Sequence, residues 1–116
     1  MSLIVQKFGG SSVANAERVR NVASRVVETY KNGNSVVVVV SAQGDTTDEL
    51  IEKAQEINPK ASKREMDMFL SSGEQMSCSL LAMAIQSLGC QAVSLTGWQM
   101  GMMTDANYGT AKILRI

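Results

Sequence analysis

Residues 3–11 read Leu-Ile-Val-Gln-Lys-Phe-Gly-Gly-Ser: an apolar run, Leu3, Ile4 and Val5, leads through Lys7 into Gly9, Gly10 and Ser11. The run suits a strand. A glycine pair after a strand lets the backbone approach a ligand and turns N–H groups toward an anion. Lys7 adds a full charge beside those dipoles. The arrangement suits a polyphosphate. It is neither a Walker A loop nor a Gly-x-Gly-x-x-Gly fingerprint, and spacing alone equally admits a tight structural turn.

Outward from this stretch, the spacing predicts a helix over 15–32. Val19, Val22, Ala23, Val26, Val27 and Tyr30 form its apolar stripe, Asn15 its N-cap, and Asn32-Gly33-Asn34 its stop. Residues 36–40 are five consecutive valines. Such a β-branched run predicts a strand covered on both faces. Strand, helix and apolar strand make a βαβ unit with a parallel sheet.

A loop over 41–45 leads into a second helix. Thr46 and Glu49 have capping-box spacing, Leu50, Ile51, Ala54 and Ile57 form the buried face, and Asn58-Pro59 ends it. A third helical region spans 63–88, with a break expected near Ser71-Ser72-Gly73. Residues 91–95 read as a third strand. Residues 112–116 read as the start of another, leaving an open sheet edge. That edge implies either a longer domain or a covering partner.

At 116 residues the chain has room for one core, and 45% hydrophobic residues argue against disorder. Eleven basic and eleven acidic residues cancel, giving no reason to expect nucleic acid or an anionic membrane as partner. No apolar run is long enough to span a bilayer and no secretory leader is visible, so a cytoplasmic location is expected. Histidine is absent, which removes His-based triads and His-rich metal sites. Cys78 and Cys90 read as reduced, buried small side chains, and no metal site is expected.

Ligands of parallel α/β sheets gather at the carboxyl ends of strands. Small polar clusters fall there: residues 7–11, 41–48 and 96–99, with 71–74 nearby. Each has a bland reading. Thr46 suits a helix cap, and Asp48 suits the first-turn dipole. Thr47 is either a helix-start residue or a hydroxyl facing a carboxylate. Glu74 either closes a capping box with Ser71 or pairs with a ligand ammonium. The methionines from Met100 suit packing, and Trp98 is expected partly buried with its N–H bonded.

Taken in order, the stretches Val-Gln-Lys-Phe-Gly-Gly-Ser-Ser-Val, Val-Val-Val-Val-Ser-Ala-Gln-Gly-Asp-Thr-Thr-Asp-Glu-Leu, Arg-Glu-Met-Asp-Met-Phe-Leu-Ser-Ser-Gly-Glu-Gln and Leu-Thr-Gly-Trp-Gln-Met-Gly-Met-Met-Thr-Asp resemble the amino-terminal part of the aspartate kinases, within the amino-acid kinases. The resemblance covers the whole chain. It implies a three-layer α/β/α sandwich around a mainly parallel sheet, present only in part, with residues 1–116 as the amino-terminal portion of the domain. It implies ATP-dependent phosphorylation of the side-chain carboxylate of L-aspartate, on the route to lysine, threonine and methionine, with Mg²⁺ accompanying ATP. On the matching motifs, Lys7, Gly9, Gly10 and Ser11 would hold the ATP phosphates and Ser41 would sit beside the transferred group. Thr47 and Glu74 would contact aspartate, Glu74 facing its ammonium.

The family extends well past residue 116. Its later segments supply an arginine for the substrate, an acidic residue near the phosphates, most of the adenine and ribose pocket, and often regulatory domains. The resemblance therefore implies weak or no activity for these residues alone, and a homo-oligomer or the remainder of the domain as partner. Gln43 stands where the family commonly has methionine. A different small acid as substrate, or a non-catalytic interaction module, are the competing readings.

Overall fold

The computed structural model describes residues 1–116. Strand β1, Leu3–Phe8, and strand β2, Ser35–Val40, lie parallel with Lys7 opposite Val39 and Phe8 opposite Val40. Helix α1, Ala16–Lys31, connects them, preceded by one 3-10 turn, Gly10–Val13. The Asn15 side chain caps α1 by accepting the Arg18 N–H at 2.9 Å. Gly33 ends it at φ +95°, a conformation glycine adopts without strain. The βαβ unit read from the valine run is present.

Helix α2 runs Thr46–Ile57 and α3 runs Lys63–Ser87. Val19, Val22, Ala23, Val26 and Val27 of α1 meet Leu81 and Ile85 of α3, with Phe8, Val36, Val38 and Val40 packed against them. This is the core. It buries one face of the sheet, and α2 packs on α3. The other face stays open: Leu3, Val5, Val37 and Val39 are 69%, 64%, 45% and 47% exposed. Within residues 1–116, then, only one of the two faces expected to be covered has its covering layer. These residues supply the sheet and one helical layer of an α/β sandwich. The radius of gyration, 15.8 Å, exceeds the about 13 Å of a compact 100-residue domain, and the molecule is flat, 49 × 33 × 17 Å.

Several local expectations also change. The break in α3 is absent because Ser71 and Ser72 donate their hydroxyls to the Met68 and Phe69 carbonyls at 2.8 and 2.6 Å. A serine satisfied inside its own helix does not need to cap a new one. The Thr46–Glu49 capping box is also absent. Asp45 holds the N-cap position and makes no side-chain bond there. Ile57, at the end of α2, is 89% exposed and lies outside the buried face. Tyr30 is exposed at the end of its stripe, and Cys78 and Cys90 are free and half-buried.

Residues 91–95 form no strand. They alternate exposed and half-buried positions, but a groove separates them from the free edge of β2 and they have no ladder partner. The last strand also leaves the parallel sheet. Strand β3, Met103–Thr104, pairs antiparallel with strand β4, Ile113–Arg115. Trp98 is 82% exposed rather than partly buried.

Candidate functional site

Because β1 and β2 end level, their following loops leave from one rim of the sheet. Ser41 N–H donates to the Phe8 carbonyl at 3.3 Å, and Gly44 N–H donates to the Gly10 carbonyl at 3.0 Å. The Gln43 side-chain amide donates to the Val13 carbonyl at 2.8 Å. The two loops are thus tied to each other by backbone and side chain.

The glycines in these loops do different jobs. A Cβ on Gly10 would lie 2.5 Å from the Ala42 carbonyl oxygen, so packing alone demands glycine there. Gly9 has nothing within 4 Å of its Cβ position, and its φ of −74° suits any residue. Neither packing nor conformation explains Gly9. A bare backbone facing open space is the geometry an approaching anion needs.

Helix α3 joins the rim through Gly73. A Cβ there would sit 3.0 Å from the Ala42 Cβ and 3.5 Å from Thr46 Cγ2. Ala42 is buried where the three segments meet. Thr47 and Glu74 each lie one residue beyond this contact. Thr47 is half-buried in the first turn of α2, and Glu74 is exposed on α3.

Glu74 lines a groove of about 1170 Å³ with Ser71, Gln75, Thr96, Gly97 and the free edge of β2. Lys7 is separate. It stands on the open sheet face and borders a shallow hollow with Gln6, Arg25, Glu28 and Thr29. Its strand partner Val39 borders the Glu74 groove. The structure thus gathers residues 7–11, 41–47 and 73–74 at one rim, while Lys7, Thr47 and Glu74 do not line a single cavity within these residues. The only ion pair of the chain joins Arg64 and Glu65, so neither Lys7 nor Glu74 has a charged partner. Glu65, and after it Tyr108, raise the pKa of Arg64 above its ordinary value.

Sequence reasoning missed Gly73 as a packing residue, reading it as a helix break. Gly73, Ser77, Leu81 and Ile85 are all buried at four-residue spacing along α3. Small residues at the start of that stripe were the available signal for a close approach. Reasoning from the sequence likewise gave no role to Gln43, which ties the two loops.

The profile of the amino acid kinase family matches residues 2–115. The chain belongs to the amino acid kinase family. It is similar to the aspartokinase of Mycolicibacterium smegmatis, 59% identical over all 116 residues, which are 28% of that protein. It is equally similar to the aspartokinase of Bacillus sp. strain MGA3, at 59% identity over the same span and share. The aspartokinase of Corynebacterium glutamicum is 57% identical, again over 28% of its length. Among solved structures, an aspartate kinase from Synechocystis superposes with a TM-score of 0.81 and 56% identity, covering 84% of this chain and 17% of that one. The chain therefore spans little more than a quarter of the curated relatives it matches. No helix is long and apolar enough to cross a membrane.

Proposed function

We propose that these residues are the amino-terminal portion of an aspartate kinase that transfers the γ-phosphoryl of ATP to the side-chain carboxylate of L-aspartate, giving 4-phospho-L-aspartate. This is the first step toward lysine, threonine and methionine in the cytoplasm. The reading rests most heavily on 59% identity along the whole chain to aspartokinases. The rim supports it independently. Loop backbone and a lysine without an ion-pair partner meet there, and phosphoryl transfer needs positioning and charge neutralisation more than covalent help.

In this reading the N–H groups of Gly9, Gly10 and Ser11 bind the phosphate oxygens, and Lys7 neutralises charge as the phosphoryl moves. Ser41 stands beside the transferred group. Thr47 donates its hydroxyl to the substrate and Glu74 faces its ammonium. The residues fit a polyphosphate: Gly9 leaves open space where a side chain would stand. Mg²⁺ would accompany the nucleotide, where it screens phosphate charge.

The test is a hydroxylamine trap for acyl phosphate on the full polypeptide carrying residues 1–116. Aspartate, glutamate and uridine monophosphate are compared as acceptors. Aspartate alone is expected to give product, and Glu74→Gln is expected to raise the aspartate KM. Product with another acceptor and none with aspartate would reassign the substrate. One observation favours a non-catalytic docking module instead, the open apolar sheet face of Leu3, Val5, Val37 and Val39. Association of the chain by light scattering, with no nucleotide bound in calorimetry, would support that second reading.

A further inference from the structure

Helix α3 carries a contact that the proposed chemistry does not use. The Asp67 carboxylate accepts the Gly109 N–H at 2.7 Å, across 42 residues of sequence. Gly109 lies in the loop joining β3 to β4. Its φ is +78°, and the methylenes of Lys63 fill the space around its Cβ position, the nearest at 3.5 Å. The adjacent Tyr108 neighbours the Arg64 guanidinium. Three residues from the start of α3 thus hold one loop tip.

The loop is built to be held. Asp105 N–H donates to the Lys112 carbonyl at 3.0 Å. The Asp105 carboxylate in turn accepts the Asn107 and Lys112 amides at 3.1 and 3.2 Å. The tip is therefore a closed turn, presented to α3 as a unit. Its base is also fixed, because Met102 N–H donates to the Gly97 carbonyl at 2.9 Å.

Helical register joins this contact to the groove. Asp67, Ser71, Glu74 and Cys78 follow at spacings of four, three and four, which places them on one face. The last three line the groove, and so do Thr96, Gly97 and Met100 at the base of the hairpin. The chain leaves the groove after Met100 and returns to the same helix face one turn before Ser71. We propose that Asp67 is a positioning residue: by holding Gly109 it lays the β3–β4 hairpin along α3 and sets the wall of the groove opposite Glu74, formed by residues 96–100 at its base.

This inference rests on the aspartate kinase reading only for its effect on substrate. The hairpin contact stands apart from that reading. The experiment uses the full polypeptide with Asp67→Ala and Asp67→Asn. Hydrogen exchange of peptides spanning 105–112 is expected to quicken roughly fivefold in Asp67→Ala, as for one lost hydrogen bond. Asp67→Asn keeps an acceptor oxygen and is expected to restore most of the protection. The aspartate KM is expected to rise roughly tenfold in Asp67→Ala with kcat within about twofold, and to recover in Asp67→Asn. Unchanged exchange in Asp67→Ala would overturn the latch. Faster exchange with an unchanged KM would overturn its role at the groove. If the unaltered protein phosphorylates no aspartate, the functional reading fails, and the exchange result still decides whether Asp67 holds the hairpin.

Discussion

Gly10 and Ala42 touch so closely that no side chain fits between them: a Cβ on Gly10 would meet the Ala42 carbonyl oxygen at 2.5 Å. The obstacle is backbone, not the flexible end of a side chain, so the loops must part to admit it. Gly10→Ala is expected to lower stability by about 1–3 kcal/mol, the usual cost of overpacking. Gly9→Ala, one residue earlier and facing open space, is expected to change stability by less than about 0.5 kcal/mol. Its effect should fall on nucleotide affinity instead. Denaturant midpoints for both variants check the contrast, and equal losses would show that the two glycines are not distinct.

Lys7 sits on the open face of β1, where its charge does no structural work. Lys7→Met keeps the aliphatic stem and removes the charge. The fold is expected to survive with an unchanged melting temperature. In the full polypeptide kcat is expected to fall by about a hundredfold or more, the scale for losing a donor to developing phosphoryl charge. Turnover within about fivefold of the unaltered enzyme would remove Lys7 from the catalytic site.

Ser77 is completely buried in α3, and its hydroxyl has no hydrogen-bond partner. An unsatisfied buried hydroxyl destabilises the fold that contains it. Ser77→Ala is expected to be neutral or to stabilise by up to about 1 kcal/mol. Ser77→Leu has no space and is expected to cost about 1–3 kcal/mol. Thermal melts of the two variants check the signs. A clear loss in Ser77→Ala would mean that the hydroxyl is bonded in solution.

Asp105 has its pKa lowered from the ordinary 3.8, first by the Asn107 backbone hydrogen bond and then by that of Lys112. A carboxylate with a depressed folded pKa stabilises the folded form above its unfolded value and loses that contribution as pH falls through the folded one. The 105–112 turn should therefore be indifferent to pH at neutrality and loosen only below about pH 3.9. Amide exchange of Asn107 and Lys112, corrected for its intrinsic pH dependence, checks this. Asp105→Asn is expected to remove the acid-dependent loosening, and loosening that begins near pH 6 would exclude Asp105 as its cause.

The sequence made legible what depends on local pattern. Both principal strands, the amphipathic α1, its Asn15 cap and its Gly33 stop follow from spacing and from residues with strong conformational preferences. The kinship was legible in four motifs read together. What stayed hidden depends on contacts between distant segments. Nothing local says that Ser71 and Ser72 will bond inside their helix rather than start another, because both outcomes satisfy the hydroxyl. Residues 91–95 have the composition and alternation of a strand, but a strand needs a ladder partner, and none adjoins them here. Gly73 looked like a helix breaker because its use, the approach to Ala42, lies 31 residues away in the chain. The rim was foreseeable from strand order, but the division of Lys7 and Glu74 between two hollows was not.

The run of valines in β2 has a final consequence. Sliding β2 by one position along β1 would turn Val37 and Val39 inward in place of valines, with a single serine, Ser35 or Ser41, filling the third inward position. Hydrophobicity polices such an error only weakly. The task falls to the bonds at either end, Ser35 to Ser2 and Gly44 to Gly10, both between backbone groups. The glycine loop after β1 is thus also the tooth that indexes the strand, and damage to it would yield molecules that are compact, valine-filled and wrongly threaded.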